Sequence, residues 1–136
     1  MGAHAIAADT DRRFINGERS AAQTPPPISD AVLVGNTLYI SGHLGIDPKT
    51  GHAPADPQAE AKLVMDRIKR TVETAGLTMD DVVSMQVFCT DLALYDKFNA
   101  AYRTQFSKDF PARAFIGAGS LLRGGHFEMQ AIAVRH

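Results

Sequence analysis

Two charged residues near the end of the 136-residue chain lie in stretches that are otherwise typical of apolar strands. Arg113 stands between two alanines in ARAFIG, and Glu128 stands between Phe127 and Met129. The planar guanidinium of arginine suits a two-pronged contact with a carboxylate, and a fixed carboxylate can hold a water molecule or transfer a proton. Arg113 and Glu128 could therefore bind a small carboxylate-bearing ligand and act on it.

Strand alternation leaves two interpretations of these charges open. Side chains alternate across a strand, so Arg113 and Phe115 share one face of the penultimate strand, while His126, Glu128 and Gln130 share one face of the last. In the first interpretation Arg113 pairs with Glu128, or both simply face water. In the second, the two strands line a cleft in which Arg113 receives the carboxylate of a ligand and Glu128 handles a proton or a water.

Composition and charge exclude several classes of protein. With 45% hydrophobic and 21% charged residues, the chain is expected to form one soluble domain. A formal net charge of -1 offers no electrostatic surface for nucleic acid or an anionic membrane. No run reaches the roughly 18 apolar residues of a membrane span, and the N-terminal stretch lacks secretory-signal features. Cys89, the single cysteine, is expected to be buried, and a cytoplasmic location is expected.

The order of predicted elements indicates an α+β fold. Residues 1–24 are predicted to be an N-terminal extension with a short first strand near Arg12–Ile15, and the domain proper is predicted over 25–136. Gly35-Asn36 separates two strand-like runs and predicts a tight hairpin turn. Apolar residues recur every three or four positions from Pro57 to Ala75, which predicts a helix.

A second amphipathic helix is predicted in LALYDKFNAAYRTQF, and its aromatic stripe is expected to be core. A strand, VVSMQVFCT, precedes it, and two strands follow it at the C-terminal end. The order ββαβαββ predicts a mixed β-sheet with two helices packed on one face.

These segments together resemble the RidA family, also called the YjgF or L-PSP family of enamine/imine deaminases. The resemblance covers roughly residues 25–136 and is carried by VGNTLYISGHLGIDPKTG, TAGLTMDDVV, VFCTDL, FNAAY and PARAFIGAGSLLRGGHFEMQAIAV. It implies a chorismate-mutase-like α+β domain. It also implies a homotrimer whose sheets form a central β-barrel, with clefts at the subunit interfaces.

The resemblance further implies hydrolysis of reactive enamines and imines, such as 2-aminoacrylate, to 2-keto acids and ammonia with no metal or organic cofactor. By match to the family, Arg113 grips the substrate carboxylate and Glu128 positions or activates the attacking water. The backbone of Phe115 is expected to hydrogen-bond the substrate, and Ser41 and Gly42 are expected where the wall of the cleft begins.

Several positions depart from the family pattern. Ile28 stands where deaminase-competent members usually carry a tyrosine, His43 where glutamine is usual, Phe115 where a cysteine or small residue is usual, and Gln130 where a second acid is usual. All four are expected to line or border the cleft, so they predict a more apolar substrate or a weaker deaminase. Asn99 matches a recurrent family residue, for which a helix-capping or interface role is an alternative.

Three other hypotheses remain at the level of sequence. His126 and Glu128, with His43, could form a metal site, but only two of the three are near in sequence and the resembling family is metal-free, so no metal is expected. The chain could instead be a binding module in which Arg113 holds a small carboxylic or keto acid without chemistry. A ribonuclease is a third hypothesis, which a neutral chain with no basic stripe supports little.

Overall fold

One mixed, six-stranded sheet with two helices makes up the fold. A computed structural model describes residues 11–17, 19 and 24–136. In chain order the elements are β1 (Arg12–Ile15), β2 (Ala31–Val34), β3 (Thr37–Leu44), α1 (Pro57–Thr74), β4 (Val82–Cys89), α2 (Tyr95–Arg103), β5 (Ala112–Gly117) and β6 (Phe127–Val134). The strand order is β1-β2-β3-β6-β4-β5, with β4 and β5 parallel and every other pair antiparallel.

Local signals explain where α1 begins and ends. The Asp56 side chain accepts a hydrogen bond from the Gln58 amide at 3.1 Å, and Pro57 occupies the first turn, where no amide is needed. Gly76 follows the last residues of the helix with φ +87°, a conformation that glycine adopts without strain. Neither α1 nor α2, the two helices in the described part of the chain, is long and apolar enough to cross a membrane.

Both helices cover the same face of the sheet, which we call the helix face. Alternate residues of β6 are buried there, namely Phe127, Met129, Ala131 and Ala133. From α2, Phe98 packs on Phe127 with ring centroids 5.0 Å apart, and Tyr102 is also buried. Tyr95 is 43% exposed, so the aromatic stripe predicted as core is core only in part. Cys89 is buried, as predicted.

The opposite face of the sheet, which we call the open face, carries apolar side chains that no element of the described chain covers. Phe14 pairs with Val32, which pairs with Tyr39, and Tyr39 pairs with Ile132, so these four form one row across four strands. Phe14 is 60% exposed and Tyr39 is 51% exposed. A contiguous apolar surface of this kind is typical of a protein interface.

Candidate functional site

Arg113 is held in place by α2. Its Nη1 donates to Asn99 Oδ1 at 2.8 Å, and its Nη2 lies 3.4 Å from the Tyr95 hydroxyl. Tyr95 and Asn99 are four residues apart, so they lie on one side of the helix and reach the guanidinium together. Asn99 lies within α2 rather than at its end, so the helix-capping role considered for it is wrong.

Aromatic rings surround the Arg113 guanidinium. The distances from its central carbon to the ring centroids are 4.6 Å for Tyr102, 5.4 Å for Phe115, 5.6 Å for Tyr95 and 5.9 Å for Phe98. The negative faces of such rings attract a cation, which explains how an apolar strand tolerates this charge. Tyr95, Asn99, Arg113 and Phe115 form a unit that we call the arginine half-site.

Phe115 lies on the same face as Arg113, as strand alternation predicts. Its ring packs edge-on against Tyr95, with centroids 5.0 Å apart, and against Phe98 at 5.4 Å. The Phe115 ring therefore packs on the helix face of its own chain. It extends the apolar surface around the cation beyond what a cysteine would provide.

Glu128 stands on the open face, above a β-bulge in β3. The register between β3 and β6 shifts between Ile40 and His43, so Ser41 and Gly42 together oppose a single position of β6. A Cβ on Gly42 would lie 2.8 Å from Glu128 Oε2, so only glycine leaves room for the carboxylate. Among the described residues, the Glu128 carboxylate has no hydrogen-bond or ion-pair partner, which leaves its oxygens available.

The segment that carries Ile28 is tied to the same corner of the sheet. Ser41 Oγ donates to the Ser29 carbonyl at 2.6 Å, and the Ser41 amide donates to the Asp30 carbonyl at 3.0 Å. Ile28 is 52% exposed. We call Ile28, Ser41, Gly42 and Glu128 the glutamate half-site.

Within one chain, the two half-sites lie on opposite faces of the sheet. The register partner of Arg113 on β4 is Met85, which is buried on the helix face, whereas the partner of Glu128 on β4 is Phe88. Positions 85 and 88 are three steps apart along the strand, an odd number, so their side chains point to opposite faces. An Arg113–Glu128 pair within the chain, which was one part of the first interpretation of the sequence, is therefore wrong.

His43 lies on the helix face, behind the glutamate half-site. It is 4% exposed, and its Nε2 lies 3.0 Å from Thr71 Oγ1 on α1. Burial, reinforced by the nearby Arg67 charge, holds the pKa of His43 below its ordinary value. The imidazole is therefore neutral at neutral pH and does not face Glu128.

His126 does not share a face with Glu128, contrary to the alternation predicted for the last strand. β6 begins at Phe127, and the His126 ring turns to Glu60, with Nδ1 2.8 Å from Oε1. The histidines thus have separate partners. Over the described residues, no three His, Cys, Asp or Glu side chains converge as metal ligands would.

Glu60 is an important residue that the sequence interpretation missed. It is fully buried and accepts hydrogen bonds from the His126 amide at 2.6 Å and the Phe127 amide at 2.9 Å. These bonds fix the start of β6, the strand that carries Glu128. The signal was present in the sequence, because Glu60 precedes the inward-facing Val64 by one helical turn.

Comparisons with known proteins show the family of the chain. The family model Endoribonuclease L-PSP matches residues 19–135. A 2-iminobutanoate/2-iminopropanoate deaminase from Escherichia coli (strain K12) is 38% identical over 112 residues, which cover 80% of this chain and 88% of the relative.

Solved structures show the same fold. The YjgF gene product from E. coli matches with a TM-score of 0.81 at 36% identity, over 91% of this chain and 99% of that one. E. coli TdcF with bound serine matches with a TM-score of 0.81 at 31% identity, over 91% and 100% of the two chains. The mixed sheet with two helices on one face is the chorismate-mutase-like architecture of these relatives. The chain belongs to the endoribonuclease L-PSP family, which is also called the RidA or YjgF family.

Proposed function

We propose that the protein hydrolyses small, reactive 2-imino and 2-enamino acids to 2-keto acids and ammonia. The observation that carries this proposal is the fixed Arg113 guanidinium, which is held by two uncharged side chains. A guanidinium has five N–H donors, so several remain for the carboxylate of a substrate. The deaminase name of the E. coli relative and the serine bound to TdcF support an amino-acid-like ligand.

The chemistry needs one positioned carboxylate and water. An enamine first gains a proton on carbon from the solvent and becomes the protonated imine, whose C2 is electrophilic. Water adds to C2 as Glu128 takes one of its protons, and the C=N π electrons move to nitrogen. Glu128 then returns the proton to that nitrogen, the C–N bond breaks, and ammonia leaves with the bonding pair. The hydroxyl gives its proton to the departing ammonia, which leaves as ammonium, as the keto group forms, so no oxidant or reductant is consumed.

A complete site on this scheme needs two copies of the chain. Arg113 and Glu128 lie on opposite faces of one sheet, so a substrate held by Arg113 meets the Glu128 of a neighbouring copy. We infer a homotrimer whose sheets form a central β-barrel through their open faces, with the sites in the clefts between copies. The apolar row on the open face supports this assembly, since burying it would stabilise the contact by roughly 25 cal/mol per Å².

The first test compares the wild-type protein with Arg113→Ala, using 2-iminobutanoate generated in place by an amino-acid oxidase. Acceleration of imine decay that disappears in the variant supports the deaminase. If the wild-type protein binds 2-ketobutyrate in a calorimeter but does not accelerate decay, the non-catalytic binder is the better description. Cleavage of single-stranded RNA that is lost in Arg113→Ala would instead favour the ribonuclease.

Mixing two inactive variants tests the shared site. Arg113→Ala and Glu128→Gln chains, unfolded and refolded together, should regain about a quarter of wild-type activity, because random assembly of two equal populations leaves about one site in four intact. Each variant refolded alone is the control. No recovery in the mixture would show that the two residues act within one chain or not at all.

A further inference from the structure

A cavity of about 200 Å³ opens beside Arg113 on the helix face. It is lined by Tyr95, Asn99, Tyr102, Arg103, Phe110, Pro111 and Arg113. All of these residues lie in or between α2 and β5. The cavity is therefore built by the same elements that hold the guanidinium.

The walls of this cavity are largely aromatic, and two of the rings are accessible. Phe110 is 50% exposed and Tyr95 is 43% exposed, although large aromatic side chains are usually buried more fully than this. The Phe110 ring stacks on Tyr102 with centroids 6.0 Å apart and an interplanar angle of 23°. This contact holds Phe110 beside the cavity, where half of its side-chain surface remains accessible to a ligand.

The charge of the cavity is positive. Of the described residues that line it, Arg113 and Arg103 are the charged ones, and the Arg103 guanidinium lies 6.0 Å from the Phe110 ring centroid. Among the described residues, neither arginine makes an ion pair with a carboxylate. A ligand that carries an anion attached to an apolar, planar group would complement this cavity.

We propose that this cavity receives the side chain of the substrate, so that the protein prefers 2-imino acids with a large apolar or aromatic side chain. This proposal rests on the deaminase function proposed above. An engineered apolar cavity of about 150 Å³ binds benzene, so a cavity of about 200 Å³ has room for the ring of a benzyl side chain. The methyl or ethyl group of a short imino acid would leave most of the wall without contacts.

The experiment compares kcat/KM for imines generated in place from phenylalanine and from 2-aminobutyrate. We expect the ratio of the two constants to favour the phenylalanine-derived imine by about tenfold or more. Phe110→Ala should lower that ratio by about tenfold, because it removes one wall. Leu122→Ala removes an apolar side chain that is even more exposed than Phe110 but lies outside the cavity lining, and it should leave the ratio unchanged.

The outcomes separate this proposal from the function on which it rests. If the wild-type kcat/KM for 2-iminobutanoate equals or exceeds that for the phenylalanine-derived imine, the deaminase function stands and the cavity proposal is overturned. A ratio that Phe110→Ala does not move also overturns it. If neither imine is hydrolysed, the deaminase function fails, and calorimetry with phenylpyruvate and 2-ketobutyrate decides the cavity. Tighter binding of phenylpyruvate supports the cavity proposal, and equal or weaker binding overturns it.

Discussion

The arginine half-site and the glutamate half-site differ in how much of each the chain completes by itself. Arg113 has two hydrogen-bond partners and four surrounding rings, all from the helix face. Glu128 has room above Gly42 and no partner among the described residues. A cation beneath a helix needs support from its own chain, because an unsupported charge there costs several kcal/mol. A carboxylate on an uncovered face keeps its water and needs no such support.

The contrast follows from the two faces of the sheet. α2 covers the helix face at β5 and supplies Tyr95 and Asn99, one helical turn apart, to the same guanidinium. No described element covers the open face at β6. The arginine half-site is therefore supported within one chain, whereas the glutamate half-site would be completed by a neighbouring copy in the assembly proposed above.

The largest expected effect is that of Glu128→Gln on catalysis. Loss of the carboxylate to which we assign the proton transfer should lower kcat for 2-iminobutanoate by roughly 10²–10⁴-fold. The free energy of unfolding should change by less than about 0.5 kcal/mol, because the carboxylate has no partner in the chain to lose. Steady-state kinetics and denaturant unfolding measure the two. Destabilisation of more than about 1 kcal/mol would show that Glu128 is already engaged, and the contrast with Arg113 would fail.

Gly42→Ala sharpens the comparison by disturbing the glutamate half-site alone. The new methyl group would lie 2.8 Å from Glu128 Oε2 and must displace it, so kcat should fall by about 100-fold. Binding of 2-ketobutyrate, which depends on Arg113, should change little. Gly119→Ala is the matched control, since a Cβ at that position meets nothing within 4 Å. Equal losses in kcat and in 2-ketobutyrate affinity would mean that the half-sites are not separable.

Asn99→Ala tests the other half-site. Removing the 2.8 Å hydrogen bond frees the Arg113 guanidinium, and KM for 2-iminobutanoate should rise by about tenfold. Asn99→Asp keeps the acceptor but adds a charge that competes with the substrate carboxylate, so it should raise KM at least as much. An unchanged KM in both variants would show that the rings alone orient Arg113.

The smallest expected effect concerns His43, behind the glutamate half-site. Because burial and Arg67 lower the pKa of His43 in the folded protein, the unfolded chain binds this proton more tightly. The contribution of His43 to the free energy of unfolding is complete above the ordinary histidine pKa of about 6.5. It is lost as the pH falls from there towards the pKa of His43 in the folded protein. His43→Gln should flatten the pH dependence of the unfolding midpoint in that range. If the unfolding midpoint of the wild-type protein is constant below pH 6, His43 is not desolvated in the folded protein. Water would then reach this part of the helix face, unlike the part around Arg113.

Much of the fold could be predicted from the sequence because its signals are local. The helical period from Pro57, the Gly35-Asn36 turn and the glycine at position 76 each act within a few residues, and the structure confirms the elements they predict. Glu60 was missed because its partners are backbone amides at positions 126 and 127. Side-chain patterns carry no information about which distant amides an acid will meet.

The sequence by itself determined the family, the residue types of the two half-sites and, apart from His126 at the start of β6, which of these side chains share a face within a strand. These follow from local periodicity and from the order of the motifs. Only the tertiary structure decided that Arg113 and Glu128 face opposite ways, because β4 lies between β5 and β6 and its register with each of them sets their relative phase. A shift of one residue in either pairing would put both charges on one face, and no pattern within a single strand specifies that register.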